Sequence, residues 1–248
     1  MLSTEQAIDL AEGAAERLVA AVSPLGEQEL RAPAALPGWT RAYGIAHVAQ
    51  ALGAYIRILS GAASSERGAG VLDRTTAAYS RPVEETAALP GPVLVRELCE
   101  GAEEFIARAR SLTPQDWERE VTSGGGWQHT ARYTLLRCLR ELETHHTDLG
   151  IGYVNDKWPA PYVRWALDDT LETLRSRNFP VTAVEATDLS VRWEISPDGP
   201  VVAGPSRLLL GWLAGRVPAQ SLSSVAQILT SAPLPEPPPW PQPPVKGQ

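Results

Sequence analysis

Four long segments in the first 150 residues repeat apolar side chains at the spacing of an α-helix, and no other feature restricts the fold as strongly. They cover residues 4–22, 41–60, 92–110 and 132–148. Apolar residues three and four positions apart lie along one face of a helix, and that face must be buried against another element. The pattern therefore predicts an N-terminal four-helix bundle.

Residues that favour helix ends flank these segments. Thr40 precedes the second segment as an N-cap residue, Pro92 lies in the first turn of the third, and Gly150 follows the fourth. Residues 61–91, between the second and third segments, are rich in Gly, Ala, Ser and charged residues. We expect a long loop there that forms a lid or a pocket wall, with one short helical piece at 73–80.

The pattern changes beyond the fourth segment. The phrase DKWPAP at 156–161 interrupts the helical spacing, a helix is predicted for 162–175, and two alternating segments typical of half-buried strands follow. A third strand and a final helix complete the second part. We therefore expect an α+β protein that is mostly α, with the bundle in 1–153, a small α+β domain with a short antiparallel or mixed sheet in 154–232, and a Pro-rich, extended or disordered tail in 233–248.

The composition limits which binding partners and which cellular location we expect. The chain has 248 residues, 44% of them apolar, and can bury a sizeable core. Its net charge of −7 and its lack of a Lys/Arg cluster argue against nucleic acid. Without a basic start before an apolar stretch, and without an apolar run of 18 residues, we expect a cytoplasmic protein with no membrane partner. Cys99 and Cys138 are too few for a disulfide framework, and we expect both as buried free thiols.

The last bundle segment contains the phrase LRELETHHTDLG, which suits a metal site. Glu141 and His145 are four residues apart and share one helix face, whereas His146 points about 100° away. His47, in the apolar phrase GIAHVAQAL of the second segment, supplies a third donor. Two histidines and one glutamate leave a fourth position open, as in catalytic zinc sites. On spacing alone the alternatives stay open: a hydrogen-bonded core histidine at position 47, and a solvated Glu-x-x-x-His face.

Three further polar residues have weaker signals. We expect His146 to support the site from outside or to lie at the surface; the alternative that a local distortion of the helix makes His146 the ligand stays open. We expect His129 at the surface. Asp148, three residues past His145, either orients the free ring nitrogen of His145 or caps the helix end.

Five phrases carry a resemblance to a known family: LPGWT, IAHVA, RELETHHTDLG, VVAGPSRLLLGWLAGR and PLPEPPPW, in this order along the chain. Through them the chain resembles the mycothiol-dependent maleylpyruvate isomerase family. The resemblance implies a DinB-like metal-binding bundle and a C-terminal domain similar to sterol-carrier proteins. It implies zinc, or another divalent metal, bound by His47, Glu141 and His145. It also implies that Arg216, in LAGR, is a catalytic residue that holds a substrate carboxylate across the domain cleft; the alternative is that Arg216 caps its helix.

The function implied by the resemblance is that of an enzyme with mycothiol as cofactor, a cis–trans isomerase of the gentisate pathway that converts maleylpyruvate to fumarylpyruvate. Its partners would be a small-molecule substrate and a low-molecular-weight thiol, and the protein would be a monomer or a small homo-oligomer. Two alternatives stay open. One is a mycothiol S-transferase that acts on an electrophile in detoxification or natural-product biosynthesis; the other is a non-catalytic metal- or ligand-binding protein on the same scaffold.

Overall fold

The computed structural model of the chain describes residues 2–63, 81–123, 126–218, 228–230 and 232–238. These residues form two compact units, Leu2–Tyr153 and a second unit that begins at Val154. The helical piece expected at 73–80 and most of the Pro-rich tail lie outside the described residues.

The first unit is helical. Its helices are α1 (Thr4–Val22), α2 (Glu27–Arg31), α3 (Arg41–Ala62), α4 (Val83–Ala87), α5 (Gly91–Ser111), α6 (Pro114–Trp117) and α7 (Ala131–Asp148). The four long helices correspond to the four apolar segments, and α1 and α3 each pack against both α5 and α7. Apolar residues of these helices, such as Leu18, Leu52, Leu98 and Leu135, are buried.

The helix that contains Glu141 and His145 has a well-defined start and end. The strands β1 (Glu120–Thr122) and β2 (Gln128–Thr130) form an antiparallel hairpin directly before α7. The last residue of β2, Thr130, caps α7, because its side chain accepts a hydrogen bond from the Tyr133 amide. After α7 the chain turns at Gly150, which has a φ of 65°, in the left-handed region that glycine favours.

The second unit contains a small sheet and two helices. A 3-10 turn at Asn155–Lys157 precedes α8 (Ala160–Ser176), β3 (Ala183–Ala186), β4 (Val191–Glu194), β5 (Val201–Gly204), α9 (Ser206–Leu213) and β6 (Leu229–Thr230). The strand order is β4-β3-β5-β6; β3 and β5 are parallel and the outer pairs are antiparallel, so the sheet is mixed. Helices α8 and α9 pack against each other. The predicted α+β class, mostly α, is confirmed.

Several short elements were not predicted from the sequence. Helices α2 and α4 have five residues each, too few for the helical period of apolar residues to be recognised. Helix α4 lies inside the segment expected as an irregular loop. Among the described helices, none has the length and hydropathy needed to cross a membrane.

Candidate metal centre

Three side chains from two helices converge at one point in the first unit. One donor atom from each of His47, Glu141 and His145 lies within 4.8 Å of the other two. The Oε2 atom of Glu141 is 3.0 Å from Nε2 of His145 and 3.6 Å from Nε2 of His47. In a tetrahedral zinc site with bonds of about 2.0–2.1 Å, neighbouring donor atoms are about 3.3 Å apart. The two distances from Glu141 lie on either side of this value, so the three residues fit one divalent ion.

The position of His47 relative to α7 depends on a close approach of two helices. Gly44 lies one turn before His47 on α3, where a Cβ atom would come within 2.8 Å of Cδ2 of Leu149. Glycine thus lets α3 pack closely against the end of α7. Because Glu141 and His145 are one turn apart on α7, their side chains face His47 from the other side of this contact.

The side chains around the three donors orient them. Nδ1 of His145 lies 2.9 Å from Oδ2 of Asp148, so an N–H at Nδ1 would donate to Asp148 and leave the lone pair of Nε2 directed at Glu141. The buried hydroxyl of Tyr55 donates to Oε1 of Glu141 at 3.2 Å, which leaves Oε2 facing the two histidines. Of the two roles considered for Asp148, this contact favours the orienting one.

An aromatic side chain covers the two histidines. The Trp39 ring, in the LPGWT turn, stacks on the His145 ring with a centroid distance of 5.7 Å and lies 5.1 Å from the His47 ring. The His47 side chain is 35% exposed, whereas those of Glu141 and His145 are 17% and 12% exposed. The site is therefore accessible from the His47 side.

The electrostatics favour a cation at the site. Burial alone would raise the pKa of Glu141, but hydrogen bonds and charges from His145 and His47 hold that pKa well below its ordinary value. Burial alone would lower the pKa of His145, but Asp148 and Glu141 raise it to about 9. Two carboxylates thus face one imidazole ring, and this excess of negative charge stabilises either a proton or a metal ion at Nε2.

His146 does not belong to this group of donors. Its ring is buried and stacks on Tyr153, with a centroid distance of 4.0 Å and an angle of 6°. The Tyr153 hydroxyl donates to Glu143, which forms an ion pair with Arg17 of α1 at 2.7 Å. The expectation of a surface position is therefore wrong, and a role of His146 in support of the site stays a prediction.

The expectation that His129 lies at the surface is also wrong. His129 is on β2, and the register of the hairpin turns its side chain towards α7. There its Nε2 lies 2.9 Å from Oγ1 of Thr134, and its ring stacks on Trp127 with a centroid distance of 4.0 Å. Burial is the main cause of a lowered pKa for His129.

The two cysteines differ in their burial. Cys138 is buried, as expected, but Cys99 is only half-buried. Burial raises the pKa of both thiols; Glu103 adds to this effect at Cys99 and Glu141 adds to it at Cys138. The surroundings of both thiols therefore favour the protonated form over the thiolate.

Arg216 belongs to the second unit. It follows α9, and its Nη1 donates to the backbone oxygen of Ala214 at 2.7 Å. The backbone amide of Arg216 donates to the oxygen of Gly211 at 2.8 Å. Such contacts are expected if Arg216 caps the end of its helix. The catalytic role of Arg216 stays a prediction.

Sequence reasoning did not identify Trp39 and Tyr55 as parts of the site. Tyr55 lies eight residues after His47 on the same helix, so the spacing places both side chains on one face of that helix. The same spacing is equally typical of a core residue, so it does not identify Tyr55 as part of the site. Trp39 precedes the helix, and its contact with the histidines depends on how the LPGWT turn folds.

Comparisons with a family model and with solved structures both lead to the same family. The sequence model of the family described as the mycothiol maleylpyruvate isomerase N-terminal domain matches residues 11–150, more than half of the chain. Two solved structures are similar in fold: the mycothiol-dependent maleylpyruvate isomerase, with a TM-score of 0.77, and a histidine-to-alanine variant of it, with 0.79. Each is 22% identical and aligns over 96% of this chain and 98% of that chain. No curated protein sequence matches.

Proposed function

Because the chain belongs to the mycothiol maleylpyruvate isomerase family, whose members are enzymes, we propose that it converts maleylpyruvate to fumarylpyruvate. The proposal includes mycothiol as the thiol cofactor and zinc, or another divalent metal, bound by His47, Glu141 and His145. The observation that carries it is the convergence of these three donor atoms within 4.8 Å.

Each residue of the site has a separate task in this proposal. A divalent metal ion bound there would coordinate the sulfur of a thiol and favour its thiolate form at neutral pH. Asp148 fixes the tautomer and the orientation of His145, and Tyr55 fixes the orientation of Glu141. Trp39 keeps water from one side of the histidines, which strengthens electrostatic interactions within the site.

The protein's own cysteines support the need for an external thiol. Burial raises the pKa of both Cys99 and Cys138, and among the described residues neither sulfur belongs to the group of donor atoms formed by His47, Glu141 and His145. A low-molecular-weight thiol therefore has to enter from solution, and the exposed side of His47 provides access for it.

The reaction follows from the chemistry of the substrate. A thiolate adds to the cis double bond of maleylpyruvate, a new carbon–sulfur bond forms, and the π electrons move onto the adjacent carbonyl as an enolate. The former double bond is then a single bond and can rotate. Reversal of the addition expels the same thiolate and gives the trans isomer, so the thiol is not consumed. Arg216 would hold a substrate carboxylate in this scheme.

The test is an assay of the purified protein on maleylpyruvate with and without mycothiol. We expect the ultraviolet absorbance of maleylpyruvate to fall only when mycothiol is present, with fumarylpyruvate as product and no net loss of free thiol. A panel of electrophiles tests the S-transferase alternative in parallel. Consumption of the thiol with an electrophile, and no isomerisation, would replace the proposal with that alternative; isomerisation without any thiol would exclude the mechanism.

A further inference from the structure

Arg137 lies on the same helix face as two of the proposed metal ligands. It precedes Glu141 by four residues, as Glu141 precedes His145, so the three side chains follow one another at intervals of about 6 Å along α7. Its guanidinium lies over the Trp127 ring, with 5.2 Å between Cζ and the ring centroid. Cation–π contact at this distance restricts the side chain.

Arg137 differs from Arg164, which also lies over a tryptophan ring. Arg164, in the second unit, lies over Trp193 at 5.5 Å and also forms an ion pair with Asp168 at 3.1 Å. Arg137 is half-buried, and in the part of the chain that the structure describes no carboxylate lies within ion-pair distance of it. A partly buried guanidinium without an acidic partner keeps its N–H donors available to a carboxylate or a phosphate.

The charge of Arg137 acts on groups next to the metal ligands. Burial is the main cause that raises the pKa of Tyr55, and the charge of Arg137 opposes this rise. The hydroxyl of Tyr55 in turn donates to Glu141. On α7, Arg137 lies one helical turn, about 6 Å of rise, from Glu141, a distance that a small dicarboxylate spans.

We propose that Arg137 binds a carboxylate of the substrate, with Trp127 holding the face of the guanidinium so that its edge remains free for two parallel N–H···O hydrogen bonds. The assignment to the substrate rests on the proposed function. Maleylpyruvate carries carboxylates at both ends, whereas mycothiol has none. The planar fork of arginine matches a carboxylate, which lysine cannot do with the same geometry.

The test uses the full-length, zinc-loaded protein and maleate, a small cis-dicarboxylate, as the probe in isothermal titration calorimetry. We expect Arg137→Gln to raise the Kd for maleate by about tenfold or more, and Arg137→Lys to raise it by a smaller factor. The matched control Arg164→Gln also removes an arginine from a tryptophan face and should leave the Kd unchanged. Zinc content, measured on every variant, should stay at the wild-type value.

The outcomes separate this inference from the proposed function. An equal Kd in wild type and Arg137→Gln, an absence of maleate binding to the wild type, or a loss of zinc from Arg137→Gln would each overturn it. If the wild type binds maleate through Arg137 but does not isomerise maleylpyruvate, the proposed reaction fails and the carboxylate site stands. If the enzyme does isomerise, Arg137→Gln should raise the KM for maleylpyruvate and not that for mycothiol; an unchanged KM for maleylpyruvate overturns the inference alone.

Discussion

Nδ1 of His145 lies 2.9 Å from Oδ2 of Asp148, while Nε2 on the other side of the same ring faces Glu141 at 3.0 Å. One imidazole thus joins a buried carboxylate to the group of metal-binding donors. A carboxylate behind a ligating histidine fixes the ring orientation and increases the basicity of the ligating nitrogen. Asp148 should therefore control metal affinity without touching the metal.

Replacement of Asp148 by asparagine tests this role. Asp148→Asn keeps the size of the side chain and removes its charge, so we expect the affinity for zinc to fall by about tenfold to a hundredfold. Competition with a chromophoric chelator measures this. Asp198→Asn, an exposed aspartate in the second unit, is the control and should leave the affinity unchanged. An unaltered affinity in Asp148→Asn would show that the carboxylate serves only the helix end.

The assignment of the ligands predicts that substitutions of the adjacent residues His145 and His146 have different effects on bound zinc. His47→Ala, Glu141→Ala and His145→Ala should each reduce bound zinc well below one equivalent, measured by elemental analysis. His146→Ala should keep its zinc but unfold at a lower temperature, because it leaves a cavity beside Tyr153. Zinc loss from His146→Ala equal to that from His145→Ala would overturn the ligand assignment.

The fold could be predicted where a periodic pattern extended over many residues. The four long helices, the caps at Thr40 and Gly150, and the change to strands all follow from spacing and from residue type. The shared face of Glu141 and His145 follows from the same period. His47 was named as a third donor from its place in an apolar helical segment, but periodicity does not say which helices pack together, so a core histidine stayed an alternative. The family resemblance favoured the ligand role.

The burial of three residues, His129, His146 and Cys99, was predicted wrongly because it depends on tertiary contacts. In a strand, successive residues point to opposite faces, so the burial of His129 depends on the hairpin register, which its sequence does not determine. His146 is buried because Tyr153, which follows α7, folds back onto its ring. Cys99 occupies an apolar stretch, yet its helix face is only partly covered.

The contact between α3 and α7 can be tested with a pair of glycine variants on α3. Gly44→Ala would place a Cβ 2.8 Å from the buried Leu149 side chain, so we expect the free energy of unfolding to fall by about 1–3 kcal/mol and zinc to bind more weakly. Gly61→Ala meets no atom within 4 Å and should raise the free energy of unfolding by about 0.5–1 kcal/mol. Chemical denaturation measures both. An equal effect of the two substitutions would mean that helix propensity, not close packing, selects glycine at position 44.

The buried His129 should make stability depend on pH in a direction that can be calculated. Because burial lowers the pKa of His129 below its ordinary value of 6.5, the unfolded chain binds this proton more readily than the folded one does. Stability is therefore lost as the pH falls through 6.5 and is retained above it. His129→Gln removes this titration. The unfolding free energy of the wild type and of His129→Gln is measured by denaturation at a pH of about 7.5 and again at a pH of about 5.5. We expect the difference between the two proteins to be smaller at the lower pH. A difference that grows towards low pH would mean that the folded state stabilises the protonated ring, and the assigned environment of His129 would be wrong.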